Sequence, residues 1–209
     1  MKHTTRTALP ALAVAAALLL AGCGGGDSET SGHGASHGAS KSSAAPARTA
    51  FNDADVAFAQ GMIPHHRQAL EMADLVAGRS SDAEVKTLAE QIRRAQDPEI
   101  ATLTRWLGEW QQPVPGAHVG HGGGDDGNGG HTMSGMMTEA QLTDLKAAKG
   151  PAFDKAFAEL MIEHHEGALT MARDVLAKGE APGVRTLAEA VVKGQSAEIA
   201  QLRTIIARL

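Results

Sequence analysis

The chain has 209 residues, a formal charge of −5, 43% hydrophobic and 3% aromatic residues, and one cysteine. The acidic balance argues against nucleic acid as a partner, and a single cysteine excludes an intramolecular disulfide or a thiolate metal site. With no tyrosine and few other aromatic rings, Ala, Leu, Ile, Val and Met must fill the interior, and the long Ala/Leu/Glu-rich segments favour helices.

The first element is a leader. Lys2 and Arg6 precede an apolar run from Ala8 to Leu20, too short to span a bilayer comfortably. Leu20-Ala21-Gly22-Cys23 follows and resembles a lipobox, cut before a cysteine that receives lipid. The expectation is a lipoprotein signal peptide over 1–22 and a mature chain starting at Cys23. That chain is held by lipid on the outer face of the cytoplasmic membrane. Residues 23–50 are rich in Gly, Ser and Ala and read as a flexible tether.

Residues 51–209 read as one duplicated domain: repeat one over 51–112, a Gly/His-rich linker over 113–137, and repeat two over 138–209. Phe58, Met62, His65, His66, Met72 and Val76 recur 99 residues later as Phe157, Met161, His164, His165, Met171 and Val175. Val85, Leu88, Gln96, Glu99 and Leu103 recur likewise as Val184, Leu187, Gln195, Glu198 and Leu202.

Each repeat predicts two helices. The first runs from about Asp53 to Ala77 and turns at Gly78–Ser81. The second is capped by Asp82 and reaches about Trp110. Pro98 predicts a kink, with Asp97 as a local N-cap. In repeat two the turn falls at 178–183, and a short extra helix starts at Thr138 with Gln141 completing a capping box. Phe58, Met62, His65, Ala69, Met72 and Val76 share one helical stripe and form a core-facing seam. On the second helix Gln96 and Glu99 share an otherwise apolar face, where a buried carboxylate needs a histidine, an ion or water. Four such helices predict an all-α fold, a four-helix bundle of two repeated hairpins with pseudo-two-fold symmetry.

The candidate metal ligands are Met62, His65, His66 and Met72, with Met161, His164, His165 and Met171. Imidazole and thioether together suit copper, Cu(I) especially, better than hard cations. Adjacent histidines point about 100° apart on a helix, so one of each pair is placed to reach across the bundle. His65 and His164 occupy equivalent seam positions near the expected axis. A seam methionine is ordinarily core, and a buried histidine is ordinarily just hydrogen-bonded. The repeat shifts that balance: Arg67 has become Glu166 and Asp74 has become Arg173, while both His-His pairs and the methionines are unchanged.

Gln96, Glu99, Gln195 and Glu198 are candidates to support the ligands. Asp55 and Asp154, near their helix starts, either cap the helix or play the same supporting part. His33 and His37 lie in the tether. His118, His121, His131, Met133, Met136 and Met137 lie in or beside the middle linker and could form an auxiliary metal-collecting arm.

The segment from Phe58 to Ala73, its second copy, the Gln96-x2-Glu99-Ile100 pattern and Gly135-Met136-Met137-Thr138 together resemble the domain-of-unknown-function family 305 over about residues 51–209. The resemblance implies a ferritin-like helical bundle, usually exported, with some relatives linked to copper binding and tolerance. This chain departs from the family in having Leu103 and Leu202 where Met is frequent, and Ile205 where repeat one has Trp106. The combined expectation is a non-enzymatic, membrane-anchored copper-binding lipoprotein with no nucleic-acid partner. The alternative is a structural or partner-binding bundle without metal. A ferritin-like di-metal oxidase is a third reading, and no Glu-x-x-His occurs to support it.

Overall fold

The computed structural model describes residues 50–116 and 134–209, and all its regular elements are helices. The leader, the tether with Cys23, His33 and His37, and linker residues His118, His121, His131 and Met133 lie outside the described residues. The elements are α1 (Asp53–Arg79), α2 (Ala83–Glu109), α3 (Glu139–Ala147), α4 (Gly150–Lys178) and α5 (Pro182–Arg208). The bundle of two hairpins is therefore present, with α3 as the short extra helix.

Local signals set the helix ends. Asn52 caps α1 in a capping box with Asp55, and Asp82 caps α2 by accepting from the Glu84 and Val85 amides. Thr138 and Gln141 form the expected box on α3. The helices α4 and α5 lack a side-chain cap and open instead with a proline in the first turn, where its missing N–H costs nothing.

One expectation needs correction. The helix α2 runs through Pro98 as one element from Ala83 to Glu109, so Asp97 starts no separate helix. A second proline, Pro64, lies inside α1 beside the histidine pair.

The hairpins α1–α2 and α4–α5 each pack internally, and they meet mainly through α1 and α4. One apolar cluster joins Ala69, Met72 and Val76 of α1 and Val85, Leu88 and Ile92 of α2 to Phe153, Phe157 and Met161 of α4 and Leu202 of α5. The other joins Phe58, Met62, Leu103 and Leu107 to Ala168, Ala172, Val175, Val184 and Val191. Each half-helix thus packs on the opposite half of its repeat partner, so α1 and α4 run antiparallel. Their midpoints cross at the histidines, between the two clusters.

Candidate metal centre

All four paired histidines are fully buried. His65 of α1 and His164 of α4 lie ring to ring across the pseudo-two-fold axis, with centroids 3.8 Å apart and planes tilted by 41°. Seam position explains this: each occupies the middle of its helix's inward stripe, where antiparallel crossing brings equivalent residues together.

His66 and His165 turn outward by one helical step, each to the second helix of its own hairpin. His66 Nε2 lies 2.6 Å from Glu99 Oε2, and His165 Nε2 lies 2.7 Å from Glu198 Oε2. The carboxylates are 18% and 15% exposed, so each pair runs from the interior to the edge of the bundle. An ionised carboxylate only accepts, so Nε2 carries a proton, and in the neutral ring the lone pair then sits on Nδ1. Among the described residues, no hydrogen-bond partner meets Nδ1 of His65, His66 or His165. Pro64 and Pro98 flank the first His–Glu pair, while Glu163 and Ala197 flank the second. The two pairs share one geometry, so the prolines are not what produces it.

Burial disfavours the imidazolium. It pushes His65 down to about 3, helped by the neighbouring His66 and opposed by the Ser134 carbonyl. The same desolvation, with His65 next in importance, holds His164 well below the usual histidine range. The central pair is therefore neutral, the state that binds metal.

The thioethers divide between the two apolar clusters. Met72 and Met161 are buried in one, Met62 in the other, and Met171 packs half-buried against the latter. Gln96 and Gln195 are buried one helical turn before the glutamates; among the described residues, neither Gln96 side-chain polar atom nor Oε1 of Gln195 has a partner. Among the described residues, no three His, Cys, Asp or Glu side chains converge as a metal-holding group.

Other candidates sit elsewhere. Asp55 and Asp154 bond to the turn of the opposite hairpin. Asp55 Oδ2 accepts from the Glu180 and Ala181 amides at 3.0 and 3.1 Å, and Asp154 Oδ2 accepts from the Ser81 amide and hydroxyl. They are clamps at the bundle ends, about three helical turns from the histidines. Met137 is buried in the core and Met136 half-buried, so Met137 is a packing residue and not part of an arm. Sequence reasoning missed Gln68, whose buried amide holds the Met137 backbone. Its only sequence signal was a polar residue next to the seam.

A duplicated helical hairpin with buried histidines meeting on its internal two-fold defines the class as a His/Met-bearing helical bundle. The chain belongs to the family described as domain of unknown function (DUF305), whose profile matches residues 55–206. Its fold is similar to a DUF305 protein of Streptomyces coelicolor, provisionally described as secreted, at 30% identity and TM-score 0.65 over 74% of this chain and 93% of that one. A DUF305 fragment from Deinococcus radiodurans gives 30% identity and TM-score 0.65 over 76% and 98%. CopM in its Cu(II)-bound form gives 33% identity and TM-score 0.62 over 74% and 96%, and CopM has also been solved with Cu(I) and with silver. No curated protein matches the chain. No described helix is long and apolar enough to cross a membrane.

Proposed function

We propose that the protein binds copper without catalysing a reaction, serving copper homeostasis or tolerance outside the cytoplasm. The observation that carries this is the pair of His–Glu contacts. Each carboxylate fixes its imidazole in the orientation and tautomer that leaves Nδ1 as a lone-pair donor inside the bundle, the arrangement typical of metal-bound histidine. The copper- and silver-bound states of the similar CopM support the same reading. The donors in this proposal are His65, His66, His164 and His165, with Met62, Met72, Met161 and Met171 as soft partners. Glu99 and Glu198 orient the outer histidines.

Titration of the metal-free protein with Cu(I) against a competing chelator tests this. Glu99→Gln with Glu198→Gln keeps side-chain volume and should weaken binding by about 10–100-fold. Met62→Leu with Met161→Leu, which should cost under about 1.5 kcal/mol each in stability, should weaken it further. A parent that binds no Cu(I) favours the structural-bundle reading instead.

The proposal includes export and lipid anchoring through Cys23, supported by the lipobox-like sequence. Cys23→Ser should move the protein out of the membrane fraction or leave it unprocessed. Fractionation identical to the parent would rule the anchor out.

A further inference from the structure

The pseudo-two-fold breaks beside the histidines. Gln68 and Gly167 are equivalent by the 99-residue offset yet differ in kind. Gln68 is buried, and its Nε2 donates to the Met137 carbonyl at 2.9 Å while its Oε1 accepts from the Met137 amide at 2.7 Å. On α4, a Cβ at Gly167 would fall 2.0 Å from the Ser134 carbonyl oxygen and 2.7 Å from Gly135 Cα. Gly135 takes φ +78°, and a Cβ there would lie 2.6 Å from the Glu163 carbonyl oxygen. Backbone therefore touches backbone, which only glycine permits at both places. The strap Ser134–Met137 is bonded to α1 on one side and sunk against α4 on the other.

The strap ends on a histidine. The Ser134 carbonyl lies 3.2 Å from His65 Nε2. A carbonyl only accepts, so Nε2 must donate, and in the neutral ring the lone pair then sits on Nδ1. Among the described residues the strap makes no such contact with His164, the symmetry equivalent, which faces the His65 backbone instead.

We infer that Gln68 and Gly167 are positioning residues for His65: they seat the Ser134–Met137 strap so that its Ser134 carbonyl fixes the ring proton on Nε2 and presets Nδ1 as the donor. The central pair is then unequal, with only the His65 ring preset by the strap. That the preset nitrogen serves a copper ion rests on the function proposed above.

Two-bond proton–nitrogen NMR of the metal-free, full-length protein reads each histidine's tautomer directly. The parent should show His65 as the Nε2–H form. Gln68→Leu and Gly167→Ala should each release the strap, speeding exchange of the Met137 amide by about tenfold, as expected for loss of one hydrogen bond. His65 should then lose its fixed tautomer, while His66 and His165, held by Glu99 and Glu198, keep theirs. Faster Met137 exchange with an unchanged His65 tautomer would mean a merely structural strap and overturn the inference. Unchanged exchange in both variants would overturn it as well. If Gly167→Ala does not fold, Gln68→Leu decides alone, since it alters a side chain and leaves both backbones intact. The measurement uses metal-free protein, so its failure is separate from a failure of the copper reading.

Discussion

His65 and His164 sit in an interior that penalises charge, and this sets an acid limit on the apo protein. In the unfolded chain both titrate near the ordinary histidine value of about 6.5; in the fold His65 falls to about 3 and His164 lies well below its usual range. The folded pKa values are depressed, so the unfolded state binds more protons below pH 6.5. Their stabilising contribution is complete above that pH and is lost as pH falls towards the folded values. Each group contributes a slope of about 1.4 kcal/mol per pH unit across that window. Urea unfolding of apo protein should therefore show stability dropping between pH 6.5 and 5, before most carboxylates titrate, and His164→Leu should make that drop shallower. A parent whose stability is flat over this range would refute neutral burial. At this scale the sequence was partly informative. The seam position of His65 and His164 already implied that they meet, and the spacing of Glu99 on the second helix already implied an inward carboxylate. What it did not show was that Glu99 takes His66 and not His65, because that depends on how far each hairpin is rotated. Nor did it show that Gln68 is spent on backbone outside both repeats.

The helices themselves were legible because their end signals are local: Asp82, Thr138 with Gln141, and the glycine-containing turns each act within a few residues. The connections between elements were not. Asp55 is fully buried and joins the start of α1 to the α4–α5 turn, accepting from the Asn52, Glu180 and Ala181 amides. Asn52 adds a bond from Nδ2 to the Lys178 carbonyl at 2.8 Å, so the cap of α1 also finishes α4. Asp154 does the equivalent work at the other end with Ser81 alone. Removing an ionised acceptor strands buried donors, and hydrogen bonds to charged groups contribute about 1.5–3 kcal/mol each. Asp55→Ala, which loses three such bonds, should thus cost about 4–5 kcal/mol by denaturant unfolding, and Asp154→Ala, which loses two, about 3 kcal/mol, with copper stoichiometry unchanged in both. Loss of a bound ion at unchanged stability would instead return these carboxylates to the metal site. The prolines mark the reverse lesson. Pro98 with Asp97 reads as a kink and a local N-cap in isolation, yet the surrounding packing carries α2 through it as one helix, because tertiary contacts outweigh a single local penalty of about 3 kcal/mol.

Across the whole molecule the duplication keeps both His–Glu pairs but departs beside them, at Gln68 and Gly167, and again at the bundle ends. Trp106 lies over Gly183, where a Cβ would meet its ring at 2.9 Å, whereas the equivalent Ile205 lines an open groove of about 450 Å³ with Glu84, Leu88 and Gln201. The linker adds a further asymmetry, since both of its described ends return to the middle of α1. Arg67 Nη1 donates to the Pro115 and Gly116 carbonyls at 2.9 and 2.6 Å, Gln60 Nε2 donates to Pro113, and the Ser134 carbonyl meets His65. Those anchors use α1 side chains and linker backbone. Replacing His118, His121, His131 and Met133 together by Ser should therefore shift the melting temperature by no more than about 2 °C, the range of surface substitutions. If these residues collect copper, the same variant should bind fewer ions and lose its weakest sites while the tightest remain, because those draw on the buried histidines. Calorimetric titration separates the two populations. Complete loss of binding would move the metal from the bundle to the linker and make the histidine quartet a scaffold, whereas unchanged stoichiometry would leave the linker histidines with no part in it.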